Sequence, residues 1–275
     1  MSHPNVIYGD YGDEKVAQSA KIGNIPLGQL MILPDGRKFR LAKCSSATAL
    51  EAGAIVASSA GLAGNGNVSG SGLVASATTT LNAVGDLDVY VATSKLAFTK
   101  DQLADGMMNV QGPAASTYIG YVHKIKGNAA AASVAAGGDL KITLYDTDPL
   151  KVAFKAGTTT VSVRQSLYKD AVVLDSSTVI AGPIGTTPTA VSASFYFWCQ
   201  RSGEASIQTS ASECIDGEAV FCDTAAAGSC TEQPDTADTS TIVAAYNLHI
   251  KQRALGFARE VSAASEAVLV DLQLE

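Results

Sequence analysis

Charge is scarce in this chain. Asp, Glu, Lys and Arg make up 16% of its 275 residues, and Lys and Arg form no long run. Phosphate contacts need clustered cations, and the formal net charge is -7, so no nucleic-acid partner is expected. Apolar runs are short too: none approaches the roughly 18 residues that span a bilayer. The opening MSHPNVIYGDYGDE carries no basic segment followed by an apolar one. The expectation is a soluble protein with no membrane association, synthesised in a cytoplasm.

Histidine occurs only three times, at His3, His123 and His249, and Trp only once. A Ser nucleophile would need one of those imidazoles beside an orienting acid, and no G-x-S-x-G elbow is present to display the Ser. His123 shares strand parity with Ile119, Tyr121 and Ile125, which suits a satisfied, partly buried ring better than a catalytic base. His249 lies opposite Tyr246 and Leu248 and reads as solvated. The glycine cluster Gly64-Asn65-Gly66-Asn67-Val68-Ser69-Gly70 fits neither phosphate-loop pattern and is read as a flexible loop, so no cofactor is expected. Asp146-Thr147-Asp148 could lend two carboxylates to a Ca²⁺ ion, but a turn closed by Asp side chains explains the same residues with less. Asp86 and Asp88 could serve acid-base chemistry, yet no partner is identifiable and an exposed strand face is the ordinary explanation. The chain is read as not an enzyme.

Cysteine occurs five times, at Cys44, Cys199, Cys214, Cys222 and Cys230. The last four are spaced by 15, 8 and 8 residues, with no C-x-x-C pair, so a zinc site is weakly supported and small semi-buried thiols in a loop are the simpler reading. Reduced thiols are the default in a cytosol. A disulfide within the Cys214 to Cys230 segment stays open.

What the sequence has in quantity is strand signal. Leu30 to Leu33 is a short apolar run, Pro34-Asp35-Gly36 supplies turn chemistry, and Phe39 and Leu41 then alternate with Lys38 and Arg40. Period-two alternation recurs over Asp86 to Val91, Ile119 to Lys126, Leu140 to Tyr145 and Val191 to Cys199, where Phe195 and Phe197 point inward. Val161 to Val163, Ala244 to Ile250 and Val268 to Leu274 complete at least seven strands. Thr99-Lys100-Asp101-Gln102 has capping-box spacing and predicts a single helical turn closing at Asp105-Gly106. The Ala-rich Asn128 to Gly138 is read as a hairpin loop or single turn. The fold class expected is all-β, an antiparallel barrel or sandwich with an N-terminal hairpin module, an extended N-terminal arm and long loops. The boundaries expected are an arm over 1–24, a hairpin module over 25–57, a Gly/Ser-rich linker or loop over 58–82, and a main β domain over 83–275. A Cys-containing surface excursion is expected at about 208–241.

Four segments in fixed order carry a resemblance: LGQLMILPDGRKFRLAKCSSATALEAGAIV, LADGMMNVQGPAASTYIGYVHKIKGN, GGDLKITLYDTDPLKVAF and IGTTPTAVSASFYFWCQRSGEASI. Over roughly residues 25 to 210 the chain resembles virion structural proteins of tailed bacteriophages encoded close to the major capsid protein. The resemblance implies a head decoration, or cement, protein on the virion's capsid surface, with the major capsid protein as partner and a homotrimer as the assembly. It brings no catalytic residues, and the Cys214 to Cys230 insertion departs from the simpler closing segment of the group.

Two sets of contact residues follow for that role. Val6, Ile7 and Tyr8 in the arm could add to a neighbour's sheet. Arg37 at the turn, with Lys38, Arg40 and Lys43, would give the hairpin a basic edge for an acidic capsid surface; a solvated edge guarded against aggregation explains the same four residues equally well. The alternative role is a tail or receptor-binding component that recognises host glycans through Tyr118, Tyr121 and Trp198.

Overall fold

The computed structural model describes residues 6–58, 70–74, 82–92, 97–111, 120–131, 139–174, 182–210, 213–223, 226–232 and 254–275. Strands in chain order are β1 (Val6–Tyr8), β2 (Leu30–Ile32), β3 (Lys38–Lys43), β4 (Ile55–Ser58), β5 (Gly70–Val74) and β6 (Asp88–Ala92). There follow β7 (Met107–Val110), β8 (Val122–Asn128), β9 (Asp139–Leu144), β10 (Thr160–Arg164), β11 (Ala171–Val173) and β12 (Pro183–Thr186). The series closes with β13 (Tyr196–Gln208), β14 (Ala219–Cys222), β15 (Cys230–Glu232), β16 (Gly256–Ala258) and β17 (Ala267–Gln273). The only helical element among the described residues is a 3₁₀ turn, Asp13–Lys15. The protein is therefore all-β, and its described strands form two sheets with no closed barrel.

The chain divides into two compact units, Met1–Asn65 with Leu167–Glu275, and Gly66–Ser166. This differs from the expected division. The hairpin of 25–57 is not a module of its own, because β3 pairs with β13 along Tyr196↔Lys43 to Ser202↔Lys38 and β4 pairs with β11 and β12. The stretch read as a linker over 58–82 contains β5, which pairs with β10.

In the first unit the sheet runs β1-β2-β3-β13-β17-β16-β14-β15, with β12 joining β13 to β4 and β4 joined to β11. The opening hairpin forms as its residues dictate. Leu33 N–H donates to the Arg37 carbonyl at 3.0 Å, Gly36 N–H donates to the Leu33 carbonyl at 2.9 Å, and Gly36 takes φ +85°, where a residue without Cβ is favoured. Its inward residues Met31, Phe39 and Leu41 are buried with Leu27, Leu33 and Trp198. Each large side chain so buried contributes roughly 2 kcal/mol.

β13 is long because it serves β3 and β17 in turn, with β12 bridged to it at Gln200. Its first half pairs with β3 and its second, Ser202 to Gln208, with β17. A register shift between Gln200 and Ser202 marks the change, as a bulge would. β4 is buried along its whole length, with Ile55 and Ala57 in one cluster alongside Ala205, Ile207, Val268 and Val270, and Val56 in another alongside Ala42, Phe197 and Cys199.

The segment read as a surface excursion over 208–241 holds β14 and β15, and Cys214, Val220, Cys222 and Cys230 from it lie in the core. Short three- and four-residue strands leave too little sequence for alternation to register. Ala244 to Ile250, with His249, lies outside the described residues, as do His3 and Tyr118.

The second unit is an antiparallel sheet in the order β5-β10-β7-β8-β9-β6. Alternation delivers Val89, Val91, Leu140, Ile142, Leu144, Met108, Ile125 and Val161 to one core. At Thr99 half of a capping box forms, with the Gln102 Oε1 accepting Thr99 N–H at 2.8 Å. The stretch closes as separate turns rather than a helix: the N–H groups of Gln102, Ala104 and Gly106 donate to the Thr99, Asp101 and Leu103 carbonyls, Asp101 and Asp105 take φ of +57° and +60°, and the Leu103 N–H goes to Asn128 Oδ1 at 2.7 Å.

Candidate interaction surface

The four basic residues of the hairpin do not form an edge. β3 lies between β2 and β13, and most of its cations are engaged within the chain. Arg37 Nε donates to Asp35 Oδ2 at 2.6 Å, its guanidinium is 3.5 Å from Glu14 Oε1, and it sits 5.7 Å over the Phe39 ring. Arg40 donates to Glu275 and, at 2.9 Å, to the Gly28 carbonyl. Lys43 Nζ lies 5.4 Å over the Tyr196 ring. Lys38 enters no ion pair among the described residues. Asp35, Phe39 and Gly28 are local partners, but Glu14, Tyr196 and Glu275 lie beyond the reach of a local window. Slight burial works to raise the Asp35 carboxyl, but hydrogen bonds from Arg37 outweigh it and hold the group below the usual carboxylate range.

The arm does pair, but within its own chain. β1 lies parallel to β2, with Val6↔Leu30, Ile7↔Met31 and Tyr8↔Ile32. β1 is an end strand of the sheet, so its other side is an edge among the described residues. Gly9 N–H donates to the Ile32 carbonyl at 3.1 Å, which directs position 9 toward β2. By strand alternation Ile7 points its backbone groups the same way, whereas Val6 and Tyr8 direct theirs outward. Ile7 packs on the hairpin core, while Tyr8 is 82% exposed, and Tyr11 and Val16 further along the arm are also exposed. The two Tyr of YGDYGDE were the available sequence signal for these exposed aromatic side chains.

Next to the 3₁₀ turn an open groove of about 970 Å³ is lined by Glu14, Arg37, Gln200, Glu204, Gln208 and Glu266 among others. Its most buried carboxylate, Glu14, is already committed to Arg37 and to the Gly12 N–H at 2.6 Å.

The residues weighed for chemistry hold the second unit together. Asp86 Oδ2 accepts the N–H groups of Asn82 and Ala83 at 3.0 and 2.7 Å. Asp88 is 2.8 Å from Lys141 Nζ and accepts Thr143 Oγ1–H at 2.8 Å. Slight burial works to raise the Asp88 carboxyl, and these hydrogen bonds more than offset it and lower it. The preference for its charged form adds stability above the ordinary carboxylate pKa, and that stability is lost as pH falls through the lowered value. His123 is buried with Nδ1 3.2 Å from Asp148 Oδ1, and Asp148 Oδ2 accepts the Lys124 N–H at 3.0 Å. Asp146 pairs with Lys126 at 3.0 Å. Tyr121 is 41% exposed, but Trp198, invoked for glycans, is buried in the hairpin core.

All five cysteines are free thiols and buried. Burial raises the thiols of Cys199 and Cys222 to about 12 and that of Cys44 to a lesser degree, so these three stay protonated and unreactive near neutrality. Among the described residues no group of three or more His, Cys, Asp or Glu is placed to hold a metal ion, and no helix is long and apolar enough to cross a membrane.

No protein-family model, curated protein or solved structure matches this chain.

Proposed function

We propose that this chain is a structural virion protein of a tailed bacteriophage. It binds the outside of the assembled capsid, stabilises it as a cement protein, and performs no catalysis. The observation that carries the binding mode is the outer edge of β1, where the backbone groups of Val6 and Tyr8 face outward and Tyr8 is exposed. An extended segment of the major capsid protein laid along this edge would satisfy those groups by strand addition, with the exposed Tyr8 side chain packing on it. The four ordered motifs supply the phage class. A homotrimer would present three such edges, and modest contacts made together add through effective concentration. Because the edge would be completed only on an assembled shell, binding favours the shell over its parts. The glycan-binding alternative loses Trp198 to the core and is not carried forward.

The test exploits the alternation in β1. Tyr8→Pro deletes an outward N–H and leaves the β1–β2 ladder intact, a placement that edge strands tolerate. The full-length chain is added to assembled capsids lacking it and followed by co-sedimentation. Tyr8→Pro is expected to weaken binding about tenfold or more with an unchanged Tm, and Tyr8→Ala, which keeps the N–H, to weaken it less. Wild-type binding by Tyr8→Pro would remove the edge from the contact. Failure of the unmodified chain to sediment with capsids would remove the capsid role itself.

A further inference from the structure

In the second unit β6 is an end strand, paired with β9 along Asp88↔Thr143 to Ala92↔Asp139. Leu144 N–H donates to the Leu87 carbonyl at 2.7 Å, so by alternation Val89 and Val91 turn their backbone groups to β9. Those of Asp88, Tyr90 and Ala92 then face away from it. An end strand with such groups open is a template for another chain. Here the middle position is already filled, and by a side chain. Asn82 Oδ1 accepts the Tyr90 N–H at 2.8 Å, and Asn82 Nδ2 donates to the Tyr90 carbonyl at 3.0 Å. One amide thus offers Tyr90 the acceptor and the donor that a residue of a paired strand would offer.

Several contacts hold that amide in place. Asn82 is 4% exposed and takes φ +111°, a conformation that residues with a Cβ rarely adopt. Its N–H donates to Asp86 Oδ2 at 3.0 Å, and its carbonyl accepts the Phe154 N–H at 2.9 Å. Beside it the Gly85 N–H donates to the Leu150 carbonyl at 2.8 Å and the Leu150 N–H to the Asp86 carbonyl at 2.9 Å.

We propose that Asn82 is a plug that keeps the β6 edge closed to a second copy of this chain, and that without it two copies join antiparallel through β6 about Tyr90. A residue whose N–H and C=O both face outward can sit on the two-fold axis of such a pair and exchange both bonds with its own equivalent. Tyr90 meets that requirement. Asp88 then lies opposite Ala92 of the second copy, so no like charges face each other across the junction. The Asn82 amide competes for the same two backbone groups, and because it is tethered in the same chain its effective concentration favours the closed edge. The inference stands on the backbone geometry of the second unit and is independent of the capsid role.

Asn82→Gly removes the amide and suits the positive φ, so it opens the edge without straining the loop. The full-length chain and this variant are compared by sedimentation velocity over a hundredfold range of concentration, and by hydrogen exchange. The variant is expected to add a species of at least twice the wild-type mass that grows with concentration. Its Tyr90 amide should exchange about tenfold faster in dilute solution and regain protection as the larger species forms. Asn82→Asp keeps an acceptor for the Tyr90 N–H but sets a carboxylate oxygen against the Tyr90 carbonyl, and it should associate at neutral pH more weakly than the Gly variant. Adding Tyr90→Pro to Asn82→Gly deletes the outward N–H, which an end strand tolerates, and should abolish the association. Wild-type sedimentation by both single variants, a Tyr90 amide that opens with no association, or association that survives Tyr90→Pro would each overturn the proposal.

Discussion

Gly256→Ala is expected to destabilise the first unit by about 3 kcal/mol or more, lowering its Tm by roughly 10 °C. Gly256 sits in β16 opposite Leu272 of β17 and Val220 of β14. A Cβ at this position would fall 1.9 Å from the Asp271 carbonyl oxygen and 3.1 Å from the Leu272 Cα. Both obstacles are backbone, so no side chain can turn aside and the β16–β17 pairing has to separate. β14 pairs directly with β16 and β15 with β14, so both should loosen with it, although Cys230 keeps its bridge to Thr209. Thermal unfolding gives the cost, and the alkylation rate of Cys222 and Cys230, now buried, should rise. An unchanged Tm with unreactive thiols would contradict this account of the sheet.

Asn128→Ala should cost about 3 kcal/mol, concentrated in the second unit. The Asn128 side chain is nearly fully buried at the end of β8. Its Oδ1 accepts the Leu103 N–H at 2.7 Å, and its Nδ2 donates to the Thr99 and Ala129 carbonyls at 2.9 and 2.7 Å. Alanine removes the side-chain partner of a donor and two acceptors in a site where water is excluded, and an unsatisfied buried group costs more than a hydrogen bond gains. Hydrogen exchange should show the Leu103 amide opening far more often, with the strands of the first unit unchanged. Equal protection in the variant would mean that the 99–105 turn is held by other contacts.

Where the chain alternates and is punctuated, its strands were legible. Leu140, Ile142 and Leu144 are buried along β9 as the period of two requires, and Pro34-Asp35-Gly36 turns the hairpin. Hidden features were of two kinds. β14 and β15 are too short, and β5 too poor in bulky residues, for a periodic signal; β13 carries Arg201-Ser202-Gly203-Glu204 through its middle because its pairing partner changes there. Pairing across the chain was the second kind. That β3 is an interior strand depends on β13, about 160 residues away in sequence, and this is why Arg37, Arg40 and Lys43 read as a free basic edge when they are engaged internally. The first boundary of the 66–166 unit falls in a Gly-rich stretch that reads as a linker, but the second, at Ser166–Leu167, carries neither Gly nor Pro. The arm was legible as extended chain and its residues Val6, Ile7 and Tyr8 as strand formers; that β2 is their first partner was not.

A cement protein whose β1 edge is completed on every capsomer would be as abundant in the particle as the shell protein beneath it. Quantitative mass spectrometry of purified particles, reporting copies of this chain relative to the major capsid protein, tests it most directly. The account predicts a ratio near one to one. A few copies per particle, or none, would contradict it.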